Sequence, residues 1–277
     1  MNDNNYSVLM SVYVNESPDF FKTSIESMLE QSLKPEEIVI VKDGPLSEEL
    51  NEILNDYKSK YSNLFTIVTL NHNVGLGKAL NEGLKACRNE LVARMDTDDI
   101  SVKNRCEAQV REFMANKNLS IIGSHIDEFF ETPDSIVSSR KVPLTHKEIL
   151  KFSRRRNPFN HPTVMYKRSE VLNIGGYGDF RRNQDLELFV RMLNNGQIGK
   201  NIDKPLLLFR ANRDNLKRRK SWVKCKSYID MVYVFWKNGY SSLLDFLIVA
   251  ISQIIVLIAP LSFLEWLSSR YLRKTKN

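Results

Sequence analysis

The chain has 277 residues and a net charge of +7 at neutral pH, with 42% apolar and 26% charged residues. That apolar share builds a sizeable core and excludes a disordered chain, and three widely spaced cysteines (Cys87, Cys106, Cys225) exclude a disulfide framework or a zinc-binding spacing. The positive balance points to an anionic partner: nucleic acid, nucleotide phosphates or an anionic membrane face.

The start, MNDNNYSVLMSVYVNE, has no basic segment and only a short apolar run, so no signal peptide is expected and a cytoplasmic location is the default. SVLMSVY (7–13) reads as a buried parallel strand. Ser17-Pro18 opens a helix to about Gln31, with serine as cap and proline in the first helical position. EEIVIVKDG (36–44) is a second strand, 46–60 a helix, LFTIVTL (64–70) a third strand, 75–87 a helix after a glycine-containing turn, and ELVARMD (90–96) a fourth strand. This alternation predicts a mostly parallel sheet with helices on both faces, which binds ligands beyond the carboxyl ends of its strands. Three such ends carry polar residues: Tyr13 to Glu16 after the first, Lys42-Asp43-Gly44 after the second, and Asp96 to Asp99 after the fourth.

Beyond residue 101 the alternation loosens. A helix is expected over 101–117 with Ser101 as N-cap, a strand over 119–130, short helices over 145–152 and 167–173, a helix over 183–196 stopped by Gly196, and a strand over 205–210. Residues 208–226 are rich in Lys and Arg, and 242–264 are almost uncharged.

The stretch ARMDTDDIS (93–101) places Asp96, Asp98 and Asp99 within four positions. Taken alone it fits a solvated turn, a helix cap or a metal site. Its place at a strand end favours hard divalent ions such as Mg²⁺ or Mn²⁺, which bridge carboxylates to phosphates. Asn73, Gly75, Gly77 and Lys78 form a turn opening a helix, where backbone N–H groups suit phosphate or simply start the helix.

SVLMSVYVNE, EIVIVKDGP, NVGLGKALNEGL, LVARMDTDD, NPFNHPTVM and NQDLELFVRM follow one another as in family 2 glycosyltransferases of the GT-A fold, over roughly residues 6–210. The NPFNHPTVM stretch and the DGPL turn most resemble the bacterial branch that builds surface polysaccharides such as O-antigen, capsule and exopolysaccharide. The resemblance implies an α/β nucleotide-diphospho-sugar transferase fold, a nucleotide-sugar donor (UDP-linked), a divalent metal and inversion at the anomeric carbon. It places Asp96 near ribose and diphosphate and Asp98 on the metal; Asp99 either assists there or orients the loop. Asp43 falls near base and ribose, although Lys42 replaces a usual acid, and taken by itself Asp43 also fits a simple Asp-Gly turn.

Val12, Tyr13, Glu16, Asn73, Gly75, Lys78 and Arg94 complete the expected donor site. Asp185 matches the general base; the alternative for it is a helix cap. Its usual Glu neighbour is Gln184 here, and the neutral neighbour predicts a lower-titrating Asp185. His161 is assigned to acceptor, phosphate or the metal shell, or equally to a structural hydrogen bond, with Asn160, Asn157 and Glu187 on the acceptor side. Arg94 and Arg191 either bind diphosphate or pair with carboxylates.

Residues 1–100 are thus expected to bind the nucleotide sugar and 101–210 the acceptor, with 211–277 a basic and apolar helical region for membrane association. The 242–264 stretch reads as an interfacial or re-entrant helix pair bent at Pro260, because Asp245, Ser252, Gln253 and Pro260 argue against a spanning helix. The expected partners are a nucleotide sugar, a lipid-diphosphate-linked acceptor and the inner face of the bacterial plasma membrane. Nucleic acid is not among them, since no reader motif is present. The rival classes are a sugar-phosphate nucleotidyltransferase, and a basic nucleic-acid or membrane-binding module without catalysis.

Overall fold

The computed structural model describes residues 4–211, 221–260 and 274–275. Its first hundred residues alternate as the apolar periodicity dictates. Strands β1 (Tyr6–Val12), β2 (Glu37–Lys42), β3 (Phe65–Thr69) and β4 (Leu91–Arg94) are separated by helices α1 (Pro18–Leu29), α2 (Glu48–Lys60) and α3 (Leu76–Ala86). Ser17 caps α1, its hydroxyl accepting from Phe20 N–H, and Pro18 takes the first helical position. β1 lies parallel to both β2 and β4, and β2 lies parallel to β3. The strand order 3-2-1-4 reverses direction at β1, so a crevice opens between the carboxyl ends of β1 and β4.

The remainder departs from a parallel sheet. β5 (Ile100–Ser101), α4 (Arg105–Ala115), β6 (Leu119–Phe129), β7 (Ile136–Arg140), α5 (His146–Ser153), β8 (Met165–Lys167), α6 (Arg168–Asn173), α7 (Gln184–Asn194) and β9 (Ile198–Arg210) follow in order. β8 is antiparallel to β4 and β6, β7 is antiparallel to β6, and β5 is antiparallel to β9. Only β6 with β9 adds a parallel pair. The sheet is therefore mixed rather than mostly parallel. The physical reason is that β6 and β7 are joined by a short connection, which permits only a hairpin, and that β5 and β8 are too short to register as apolar periods.

Ser101 is not the cap of α4. It pairs with Leu207 of β9, and its N–H donates to the Ser27 hydroxyl, so the helix starts later, behind Asn104.

The sheet is covered on both faces. One layer packs Phe21, Ile25, Leu50, Leu54, Val110 and Phe113 from α1, α2 and α4 against the sheet, and the other packs Leu80, Leu84, Leu188, Phe189 and Met192 from α3 and α7. α3 lies so close that a Cβ on Gly83 would stand 2.3 Å from Leu9 Cδ1 and 2.7 Å from Val41 Cγ2. Gly83→Ala is therefore expected to destabilise the protein by about 1–3 kcal/mol through overpacking, measured as a lower midpoint in urea with an unchanged slope.

Two further helices, α8 (Trp222–Lys237) and α9 (Leu243–Ile258), pack on α7 through Leu186, Val190, Met231, Val232, Phe235 and Val249. A last two-residue strand, β10 (Lys274–Thr275), pairs with β7. Of the expected helix pair over 242–264, α9 forms and ends before Pro260; residues 261–273 and most of the basic run, 212–220, lie outside the described residues. No helix among the described residues is long and apolar enough to cross a membrane.

Candidate active site

β4 ends at Arg94, and the chain turns through residues 95–99 before β5 begins. In this turn the carboxylates of Asp96, Asp98 and Asp99 come within 4.8 Å of one another. The turn is held from outside at each of these residues, by side chain or by backbone. The buried Arg94 guanidinium pairs with Asp96, and the Ser24 hydroxyl of α1 donates to the Asp96 carbonyl at 2.6 Å. The Thr97 hydroxyl donates to Glu16. Arg210, the last residue of β9, donates its N–H to Asp99 Oδ1 at 2.9 Å and its Nε–H to the Asp98 carbonyl at 3.0 Å. The Arg210 guanidinium lies 3.8 Å over Phe20 and 4.7 Å over Phe129.

Close carboxylates in a desolvated turn repel. Burial, then the charges of Asp96 and Glu16, push Asp98 up to about 7. Burial, then Asp96 and Asp98, raise Asp99 well above the ordinary carboxylate range. Asp99 Oδ2 is buried without a hydrogen-bond partner among the described residues. Three converging oxygen donors, one of them orphaned, fit a hard divalent cation, which would relieve both defects. Arg210→Ala frees one side of this turn. It removes the Nε–H bond to the Asp98 carbonyl and leaves the backbone N–H bond to Asp99 in place, and is expected to weaken Mn²⁺ binding about tenfold, equivalent to the loss of one charge-assisted hydrogen bond, read by titration of the ion against the purified protein.

The donor-side residues surround the crevice. Val12 is buried at the end of β1, and Tyr13 beside it is 42% exposed. Glu16 closes on Ser17 N–H at 3.0 Å as well as on Thr97. Asp43 is buried, and its two oxygens accept from the N–H groups of Val74 (2.7 Å) and Gly75 (3.1 Å). The carboxylate thus shapes the turn that starts α3. Gly75 needs its φ of 88° there, a conformation that favours glycine. Asn73 folds back on the Asp43 carbonyl, and Lys78 pairs with Asp179 at 2.9 Å. A cleft of ≈ 270 Å³ opens at this helix start, between Asn73–Lys78 and residues 178–181. Lys42 turns toward α2, its ammonium donating to Asn51 at 2.6 Å.

Asp185 stands in the first turn of α7, behind Asn183 in the left-handed conformation (φ 58°). Asn157 Nδ2 donates to Asp185 Oδ2 at 2.6 Å. Burial raises the pKa of Asp185, partly offset by helix N–H groups, Arg94 and Asn157. The direction is opposite to the one expected from the neutral neighbour. Gln184 packs against Gly77, and the desolvation of Asp185 outweighs the charge that Gln184 lacks.

Other expected residues have structural partners. His161 does not join the aspartate cluster; its Nε2 bonds the Tyr177 hydroxyl at 3.0 Å, and burial and then Arg94 hold it neutral, well below its usual pKa. Asn160 is buried and donates to the Ser124 carbonyl of β6. Glu187 forms a two-point pair with Arg191 (2.7 and 2.9 Å), and Arg191 also holds the carbonyls of Ile174 and Gly176. Both arginines considered for diphosphate, Arg94 and Arg191, are thus paired with carboxylates. Arg210 and Tyr177 escaped sequence reasoning; the one signal for Arg210 was a lone charge closing the apolar run PLLLFR.

Residues 7–174 match the family described as Glycosyl transferase family 2. The chain belongs to this glycosyltransferase family. Over 269 residues, and 97% of each chain, the enzyme is 36% identical to the UDP-Gal:alpha-D-GlcNAc-diphosphoundecaprenol beta-1,3-galactosyltransferase of Escherichia coli. It is 35% identical over 228 residues to an amylovoran biosynthesis glycosyltransferase of Erwinia amylovora, covering 82% of this chain and 84% of that one. Its fold is that of the mannosyltransferase from Pyrobaculum calidifontis solved with GDP-Man and Mn²⁺, with a TM-score of 0.64 at 14% identity over 92% of this chain and 70% of that one. This membership decides between the rival classes: the protein is a glycosyltransferase, not a nucleotidyltransferase or a binding module.

Proposed function

We propose that this glycosyltransferase moves a sugar from a UDP-sugar to a lipid-diphosphate-linked saccharide, with inversion and with a divalent metal, during surface-polysaccharide synthesis on the cytoplasmic face of the bacterial plasma membrane. The observation that carries the reading is the pairing of two acidic centres across one crevice: the aspartate cluster at the end of β4, and Asp185 at the start of α7. Arg94 pairs with Asp96 and also acts electrostatically on Asp185, which supports a shared site. The name of the Escherichia coli relative supports the UDP-linked donor and the lipid-diphosphate acceptor.

Asp185 takes the proton of the acceptor hydroxyl while that oxygen attacks the anomeric carbon opposite the leaving diphosphate. Asn157 fixes its carboxylate, and the first turn of α7 favours its charged form. Asp98 and Asp99, with Asp96, hold the metal. A bound Mn²⁺ or Mg²⁺ supplies positive charge against the leaving nucleoside diphosphate. Tyr13 offers an exposed ring to the base, and the start of α3 offers N–H groups to phosphate. In this reading residues 1–100 serve the donor, 101–210 the acceptor, and 211–277 the membrane.

The test is release of nucleoside diphosphate from a panel of nucleotide sugars with Mn²⁺, with and without a GlcNAc-diphosphate-lipid acceptor. UDP release that rises when the acceptor is added is the expected result; no release from any donor would sink the reading.

A further inference from the structure

We propose that the cleft between α5 and the start of α9 seats the diphosphate of the lipid-linked acceptor, with the exposed face of α9 lying on the bilayer beside it. The inference rests on the acceptor class proposed above.

The cleft has a volume of ≈ 570 Å³, and its charged lining is Lys151, Arg154, Arg155 and Arg156 against Glu148 and Asp245. Both carboxylates are already occupied. Glu148 closes the capping box of α5 with Thr145. Asp245 closes the capping box of α9 with Ser242 and pairs with Arg155 at 2.5 Å. Lys151, Arg154 and Arg156 pair with no carboxylate among the described residues, so the cleft offers three unpaired cations and, with Glu148 and Asp245 counted against all four basic residues, a net charge of +2. A diphosphate is the compact dianion that such a set complements, and guanidinium groups bind it through paired N–H donors.

Position ties the cleft to the chemistry. Arg156 directly precedes Asn157, whose side chain holds Asp185. The Tyr228 hydroxyl of α8 donates to the Arg155 carbonyl at 3.0 Å, and Tyr228 lies within electrostatic reach of both Arg156 and Asp185. In a sugar linked to a lipid through diphosphate, the reacting hydroxyl and the diphosphate flank a single ring. The cation cluster runs directly into Asn157, which holds the base, so neighbouring residues of one segment face both ends of such an acceptor.

The lipid then has a place to go. From the mouth of the cleft, α9 presents Leu244, Leu247, Ile251, Ile254, Ile255 and Ile258, each at least 45% exposed, at the three- and four-residue spacing of one helix face. Sixteen residues extend about 24 Å, short of a bilayer core, so this face suits a helix lying in the interface. An apolar stripe continuous with a cation cluster fits a lipid surface bearing phosphate.

The experiment uses the full chain and co-sedimentation with three vesicle types: phosphatidylcholine alone, phosphatidylcholine doped with a polyprenyl diphosphate, and phosphatidylcholine with phosphatidylglycerol at matched charge. The wild type is expected to bind the diphosphate vesicles about tenfold more tightly than the other two. Arg154→Ala with Arg156→Ala should abolish that preference, and Leu244→Glu with Ile251→Glu should weaken binding to all three. In transfer assays, the arginine variant should also lose about tenfold of its preference for GlcNAc-diphosphate-lipid over methyl α-GlcNAc. The cleft assignment is overturned if the arginine variant keeps either preference, or if phosphatidylglycerol binds as tightly as diphosphate. A wild type that binds diphosphate through these arginines but transfers no sugar would instead overturn the proposed function and leave the cleft standing.

Discussion

Asp185→Asn is expected to lower transfer by about a thousandfold, the usual scale for removing a positioned general base, while Mn²⁺ and UDP still bind. The substitution keeps shape and the position beside Asn157, so circular dichroism and the melting midpoint should change little. The pH profile gives a sharper readout. Burial raises the pKa of Asp185, and only its ionised form accepts a proton. The rate should therefore fall on the acid side, tenfold per pH unit below that pKa, at a pH above the ordinary aspartate range. Asn157 donates to the charged carboxylate and so lowers its pKa. Asn157→Ala should move the acid limb to higher pH, whereas a merely structural role for Asn157 would scale the whole profile down without moving it.

Asp98→Asn should abolish metal-dependent transfer and yet stabilise the metal-free protein. In the fold Asp98 titrates at about 7, against an ordinary value of 3.8. The folded state then binds more protons than the unfolded chain between those two values, so stability falls as pH rises from about 4 to about 7 and stays low above. Asparagine removes that penalty. At pH 8 with a chelator, the variant should melt about 2–4 °C above the wild type, the shift that corresponds to roughly 1 kcal/mol in a chain of this size. Added Mn²⁺ should raise the wild type's midpoint and leave the variant's nearly unchanged. Equal melting of the two proteins without metal would mean that the carboxylates do not repel one another in the fold. Full activity of the variant would remove Asp98 from the mechanism.

The three aspartates were legible from their place at a strand end, because a buried parallel strand declares itself through a β-branched run and its carboxyl end is where such sheets leave backbone groups open. Asp185 was legible through the resemblance of QDLEL to a family motif, and its position in the first helical turn confirms only the local reading. The partners of these groups were not legible. Arg210 reaches Asp99 across 111 positions, and Asn157 reaches Asp185 across 28. Arg105, in the first turn of α4, is fully buried and donates to the carbonyls of Pro162 and Arg94, fixing the base of the aspartate turn. Nothing in SVKNRCEAQ separates it from a solvated arginine.

The sequence by itself determined the order of strands and helices through residue 100, the helix cap at Ser17, and the clustering of acid at the end of β4. These follow from backbone periodicity and local capping, which involve residues a few positions apart. Only the tertiary structure decided that the sheet is mixed, that Asp43 shapes a loop, that His161 bonds Tyr177 apart from the aspartate cluster, and that Asp185 titrates high. Each of those outcomes depends on how a buried polar group finds a partner or loses water, and that is settled by residues far away in the chain.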